Sequence, residues 1–336
     1  MYFLIRELCE LILVIPTTIS MKRVGIKRTF VIGCFLTLLN LILLYALPTN
    51  RNLFFAAAVS EGLAISLFFL PYHFLFSSAI TKKDSGKQLG LMDVIISLVT
   101  AFGPLVGGIV AAASSLRTVL LMSVFFVALS VIPLLSGSKQ NYLRKFSYTK
   151  PFKLLFSRDS VSNMGFGVTE MVATIVWPLF IYLAVRSYAT VGIIISVSLM
   201  IIVLLDFVVG YFTDHGKIHT LLKYGSLTSA VVHITRILAS SLYAVTGINI
   251  ASDITHTLFR VPWTREFYRN AGADRGTYIA AMELAVCLGR SLFWALLLIV
   301  ARSASLSTFM LCAFIIGSLG SLLVPLIVSQ KRRVSI

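Results

Sequence analysis

Glu61, Glu170, Asp206, Asp253, His256 and Arg290 each interrupt a long apolar run. A charge at the centre of a bilayer costs about 2.5–3.5 kcal/mol on insertion scales, so each needs a reason to be there. Carboxylates such as Glu61 and Glu170 can bind a proton or a cationic solute, and Arg290 can pair an acid or hold an anion. Asp253 and His256 lie one helical turn apart and share a face. The structural alternative is an ion pair that fixes helix register. Arg6 and Glu10 stand four residues apart in the first run, where an intrahelical pair accounts for both. The histidines, His73, His215, His219, His233 and His256, form no zinc-binding pair, and no serine-nucleophile elbow is present. No metal or cofactor is expected.

The elements that must position these residues are membrane spans. The chain has 336 residues, 58% hydrophobic and only 12% charged, with a mean hydropathy of +0.93. Runs of about 20 apolar residues are long enough to cross a bilayer as helices. Eleven spans are expected, over 2–19, 29–47, 52–80, 89–113, 117–135, 160–185, 189–212, 220–239, 242–262, 276–301 and 305–328. The net charge of +16 would suit nucleic acid, but its placement argues otherwise. Basic residues crowd alternate loops: Lys22, Arg23, Lys27 and Arg28 in the first, Lys82, Lys83 and Lys87 in the third, and four arginines from Arg260 to Arg275 in the ninth. Single arginines or none occupy the loops between. This alternation puts the odd loops and the C-terminus in the cytoplasm and Met1 outside. The first run does not read as a signal peptide: it lacks a basic start and a clear small-residue cleavage site, and it carries Arg6, Glu7 and Glu10. Cys9, Cys34, Cys287 and Cys312 sit singly in apolar runs and read as packing residues. His233 and Arg236 fall in the eighth span, with Arg236 near its outer end, where it can reach the interface. Trp177, Pro178 and Tyr182 fit an outer-half aromatic anchor with a kink as readily as a ligand contact.

The chain is internally duplicated. Pro71, Tyr72 and Phe76 are matched by Pro262, Trp263 and Phe267, 191 residues later. Asp84, Gly86, Met92 and Asp93 are matched by Asp274, Gly276, Met282 and Glu283, 190 residues later. Gly25 and Thr29 likewise match Gly216 and Thr220. Between the copies, 137–159 is a basic linker with Lys139, Arg144, Lys145, Lys150, Lys153 and Arg158. The expected domains are an N-terminal bundle over 1–136, this cytoplasmic linker, and a six-helix bundle over 160–336. Spans one to five pair with seven to eleven, and the sixth has no partner. Its partner would fall before Met1. Either an ancestral first helix has been lost, or the sequence starts downstream of it. Such repeats are a pattern of secondary transporters.

Gly210, Asp214, His215, Gly216 and Lys217 resemble the signature loop of the major facilitator superfamily, with one residue missing before Gly216. A degenerate first copy keeps Arg23, Gly25, Lys27 and Arg28. The resemblance covers essentially the whole chain. It implies an all-α polytopic membrane protein, with two pseudo-symmetric bundles and a first helix missing. In that family the loop touches the opposite half, which implies Arg23 or Arg28 near Glu283 and Lys217 near Asp93, holding the cytoplasmic side shut. Gly103, Pro104, Gly107 and Gly108 resemble the end of an antiporter glycine-proline motif; close packing and a kink are the alternative. The family's cavity map makes Glu61, Glu170, Asp253, His256 and Arg290 candidates for binding a solute or proton.

The resemblance implies a secondary active transporter of a small solute, working by alternating access in the plasma or inner membrane, with proton-coupled export as the sharpest form. A truncated, inactive or regulatory relative is the first alternative. A membrane-embedded lipid-modifying enzyme is the second. Protons, the solute and membrane lipid are the expected partners; no protein or nucleic-acid partner is indicated.

Overall fold

The computed structural model describes residues 1–79, 85–136, 149–272 and 274–327, without the side chains of 77–79, 85–94 and 135–136. Among them, all regular structure is helical. The helices are α1 (Tyr2–Val24), α2 (Ile26–Ala46), α3 (Leu53–Ala79), α4 (Ser85–Ala113), α5 (Leu116–Ser136), a short α6 (Lys150–Leu154), α7 (Arg158–Met171), α8 (Trp177–Val185), α9 (Tyr188–Asp214), α10 (Ile218–Thr235), α11 (Leu242–Ala271), α12 (Arg275–Val300) and α13 (Leu306–Leu323). One π-helical turn, Val172–Val176, fuses α7 and α8 into a single segment. Pro178, which cannot donate a backbone hydrogen bond, sits just beyond that turn.

The eleven long segments among the described residues fall where the apolar runs do. Eight of them are long and apolar enough to cross a membrane. The other three are α1, α10 and α11. Two of these carry the charges that matter: α1 holds Arg6, Glu7 and Glu10, and α11 holds Asp253, His256 and Arg260. Turns are short, and serines close several helix starts by accepting a backbone N–H: Ser157 for α7, Ser187 for α9, Ser241 for α11 and Ser305 for α13. Gly25 and Gly216 take φ of +101° and +84° at equivalent turns, a region side chains avoid.

The duplication is visible in the packing. In the first copy, α2 crosses α3 at Gly33, where an added Cβ would lie 2.7 Å from the Leu67 backbone. In the second, α10 crosses α11 at Gly225, where it would lie 2.9 Å from Leu258. Leu67 and Leu258 are 191 residues apart, as the repeat requires. Small residues let membrane helices approach closely where no hydrophobic drive exists between them.

Two long seams join the copies. Along one, α1 lies against α12, with Val14 packed among Ala280, Leu284 and Cys287. Along the other, α4 lies against α9: a Cβ on Gly108 would meet the Tyr188 carbonyl at 2.6 Å, and one on Gly192 the Pro104 carbonyl at 2.3 Å. Gly103 has open space and Gly107 only an ordinary contact, so Gly108 is the glycine of this motif that packing demands.

The copies differ in one respect. The segment α7–α8 packs on α12 and α13, and half of the α12 span is buried. The equivalent helices α4 and α5 have no such cover, with 11% and 6% of their spans buried.

Replacing Gly33 or Gly225 by Leu should destabilise the purified protein by about 1–3 kcal/mol, as overpacking does. Gly103→Leu should leave the thermal midpoint nearly unchanged. Equal midpoints for all three variants would contradict the close crossings.

Candidate functional site

Helix α1 brings three charges into the interior. The Arg6 side chain donates from Nε to Glu7 Oε1 at 2.9 Å and from Nη1 to Glu61 Oε1 on α3 at 3.0 Å. The Tyr2 hydroxyl donates to the other oxygen of Glu61 at 2.5 Å, and Asn40 of α2 donates to Tyr2 at 3.3 Å. The close fit of α1 on α3 depends on Gly62, where a Cβ would stand 2.5 Å from the Arg6 carbonyl. Glu61 is therefore committed to a polar lattice within the first copy.

From the other copy, Arg290 of α12 points at α1. Its Nη1 lies 3.8 Å from Glu10 Oε2 and 4.0 Å from Glu7 Oε2. Arg6 also reaches across, to Met171 Sδ of α7 at 3.4 Å. Just before the π-helical turn, Glu170 Oε1 lies 2.9 Å from His256 Nε2 on α11, and Arg290 is within electrostatic reach of Glu170. Phe166 stacks on Trp263 at 3.8 Å and holds α7 against α11 beside this pair.

Glu61, Glu170, His256 and Arg290 thus converge where the copies face each other, together with Arg6, Glu7 and Glu10. The intrahelical Arg6–Glu10 pair expected from spacing is replaced: Arg6 turns to Glu7 and Glu61, because a guanidinium's fork is better filled by two carboxylates than by one. A carboxylate pair with one unclaimed acid, facing a run that holds a lone arginine, was the available signal.

Asp253 sits slightly apart. It accepts from Ser198 of α9 at 2.5 Å and from Asn249 at 3.3 Å, and Asn249 in turn accepts from Trp177 Nε1 at 2.9 Å. Trp177 is thus a core residue, 2% exposed, and not an interfacial anchor. Arg236 is also misplaced by the sequence: it is fully buried, bonded to His233 and Ser252, with its guanidinium over the Trp177 ring. Ring faces and neutral groups receive this cation, which has no acid within ion-pair distance among the described residues and whose Nε lacks a hydrogen-bond partner. Asp206 pairs with Arg260 at 2.8 Å and accepts from Ser97 of α4 at 3.4 Å, across the second seam.

At the end of the bundle that holds the Gly25 turn, Glu283 pairs with His73 of α3 at 3.2 Å, and not with Arg23 or Arg28. His73 Nδ1 lies 2.8 Å from the Tyr268 hydroxyl on α11, and Phe76 packs on Tyr268. The half-buried imidazole reaches Glu283 inside the helix bundle, whereas Arg23 and Arg28 stand beside the turn at Gly25. Lys217 opens α10; the Asp93 side chain expected beside it lies outside the described residues. Asp214 pairs with Arg265 at 3.0 Å on an exposed surface, where such pairs contribute little. No group of three His, Cys, Asp or Glu is placed to hold a metal among the described residues.

A family profile for the Major Facilitator Superfamily matches residues 2–293. The chain belongs to the Major Facilitator Superfamily. Among solved structures, the fold is similar to that of a point-mutant form of the E. coli fucose:proton symporter FucP, at 13% identity and a TM-score of 0.61, covering 96% of this chain and 88% of that one. It is equally similar to FucP in the outward conformation, at 14% identity, a TM-score of 0.61, and 96% and 87% coverage. Comparison with curated protein sequences gives no significant match. At such identities the structures speak for the fold, and membership in this family makes the chain a multi-pass membrane transporter, not an enzyme.

Glu283→Gln should loosen the α3–α12 bridge and open this end of the bundle. With Leu70→Cys as the reporter, the thiol should then react faster with a water-soluble thiol reagent, and His73→Phe should have the same effect. Unchanged labelling in both variants would show that the bridge does not hold that end closed.

Proposed function

We propose that the protein moves a small polar solute by alternating access and couples that movement to protons. The charge balance of the interior cluster carries this reading. Glu7, Glu10, Glu61 and Glu170 oppose two arginines, Arg6 and Arg290, with His256 beside Glu170. A low-dielectric interior does not hold uncompensated negative charge, so a proton or a cationic group must join the cluster for part of the cycle. Glu170 and His256, both part-exposed, are the pair we assign to solute and proton exchange, with Arg290 as the charge that senses their state; Glu61 braces Arg6 within the first copy, and Asp253 lies apart with Ser198 and Asn249. The two seams supply surfaces on which one bundle can rock against the other. The cytoplasmic contacts of His73, Tyr268 and Glu283 form one gate in this scheme, with the C-terminus on that side and the plasma or inner membrane as the site of action. In the glycine-proline segment 103–108, the close fit of Gly108 on Tyr188 is accounted for by packing.

A transport-inactive relative is the second reading, and the uncovered faces of α4 and α5 favour it.

The test is reconstitution into proteoliposomes with an internal pH-sensitive dye, challenged with a panel of sugars, amino acids and organic cations. A solute-evoked proton flux is expected, abolished by Glu170→Gln with folding intact. Full retention of the flux in that variant would reject Glu170 as the coupling site; no flux with any solute class would favour the inactive relative.

A further inference from the structure

The transporter reading assigns the exchangeable proton to Glu170 and His256, and it leaves Glu10 without a task. Glu10 is the most isolated acid of the cluster. Its side chain is 4% exposed, and its Oε2 has no hydrogen-bond partner. The nearest cation, Arg290, stands at 3.8 Å, and the same Nη1 stands 4.0 Å from Glu7. Arg290 Nε is itself buried without a partner. Glu7 is better served, because its other oxygen accepts from Arg6. Two buried acids therefore share one loosely held guanidinium across the α1–α12 seam.

The charges that act most on Glu10 among the described residues come from two helices. Arg6 and Glu7 act on it from α1, and Arg290 and Glu283 from α12. Glu61 on α3 is engaged by Arg6 and Tyr2, and Glu283 by His73. The thiol of Cys287 is the remaining titratable neighbour on α12. The acids near Arg290 outnumber the cations left free for them, and Arg290 also lies against α7, where a Cβ on Gly167, about one turn before Glu170, would stand 3.3 Å from its Cγ.

We propose that Glu10 is a second proton-binding carboxylate, and that its protonation releases Arg290 from α1 toward Glu170. The step balances simply. A proton from water adds to Glu10 Oε2, the carboxylate becomes a neutral acid that can donate, and the positive charge of Arg290 is left to Glu7 and Glu170. Removing one charge from the seam weakens the hold of α1 on α12 and strengthens the electrostatic link between Arg290 and Glu170. The proton site thus lies in one copy and the solute-facing acid in the other, with Arg290 between them. The inference rests on the transporter reading for its meaning, but its test needs no solute.

Purified full-length protein in lipid would be examined by infrared difference spectroscopy across a step from mildly alkaline to mildly acidic buffer. A protonated-carboxyl C=O band is expected to appear, to be lost in Glu10→Gln and to shift in Glu10→Asp, while Glu170→Gln keeps it. A band that survives unchanged in Glu10→Gln overturns the proposal, as does its absence from the unmodified protein. Spin labels at the outer ends of α1 and α12 give the second readout. Their separation should change over the same pH step, and the change should vanish in Glu10→Gln. A change that persists in Glu10→Gln overturns the release of Arg290. Failure of solute transport would bear on the function of Glu170 and leave both readouts intact.

Discussion

The contact between Arg290 and the acids of α1 is the interaction on which the rest of the structure turns. Burying charges is expensive, and in many proteins an apolar replacement would serve stability as well or better. Here the charges occupy the seam between two copies of a helical unit, where Val14, Ala280, Leu284 and Cys287 complete the apolar part of the contact. An apolar seam alone would hold the copies together in any ionic state. A seam whose strength depends on charge can be altered by a proton or by a solute, which is the property a moving transporter needs. Arg6 extends the same logic inward by tying α1 to α3, so that α1 carries its partners with it.

Close helix crossings supply the rigid parts on either side. Gly33 and Gly225 set equivalent crossings in the two copies, and Gly108 with Gly192 sets the second seam. A bundle built on such fits moves as a body, because its crossings cannot open gradually. The asymmetry lies elsewhere: α7–α8 covers α12 and α13, with Gly289 admitting the Met164 backbone closely, while α4 and α5 present their equivalent faces largely uncovered. The π-helical turn beside Glu170 is found on that unpaired segment, in keeping with the tendency of such turns to lie at functional positions.

Much of the fold was legible in the sequence. Apolar runs and alternating basic loops locate helices because lipid leaves the backbone no other arrangement, and the repeat offset of Pro71 and Pro262 predicts which helices are equivalent. The conformations of Gly25 and Gly216 follow from the same alignment. Side-chain partners were far less legible, because spacing along one helix says nothing of which neighbour lies opposite. Arg6 and Glu10 fit an intrahelical pair and form none; Glu283 meets His73 instead of an arginine from the first loop. Arg236 reads as an interfacial cation but is buried under Trp177, since ring faces can receive a guanidinium and no acidic residue marks the place. Glu170 and His256, 86 residues apart in sequence, were each found from their apolar surroundings, yet only packing of α7 on α11 makes them a pair.

The most direct test of the central claim is a double-mutant cycle on Arg290 and Glu10, read as thermal stability in mildly alkaline buffer. Arg290→Ala should lower stability strongly by leaving acids uncompensated. The Arg290→Ala/Glu10→Ala double variant should recover much of that loss, with a coupling on the order of 1 kcal/mol or more. Losses that simply add would show that the two residues do not sense each other, and the seam would then owe its strength to apolar packing alone.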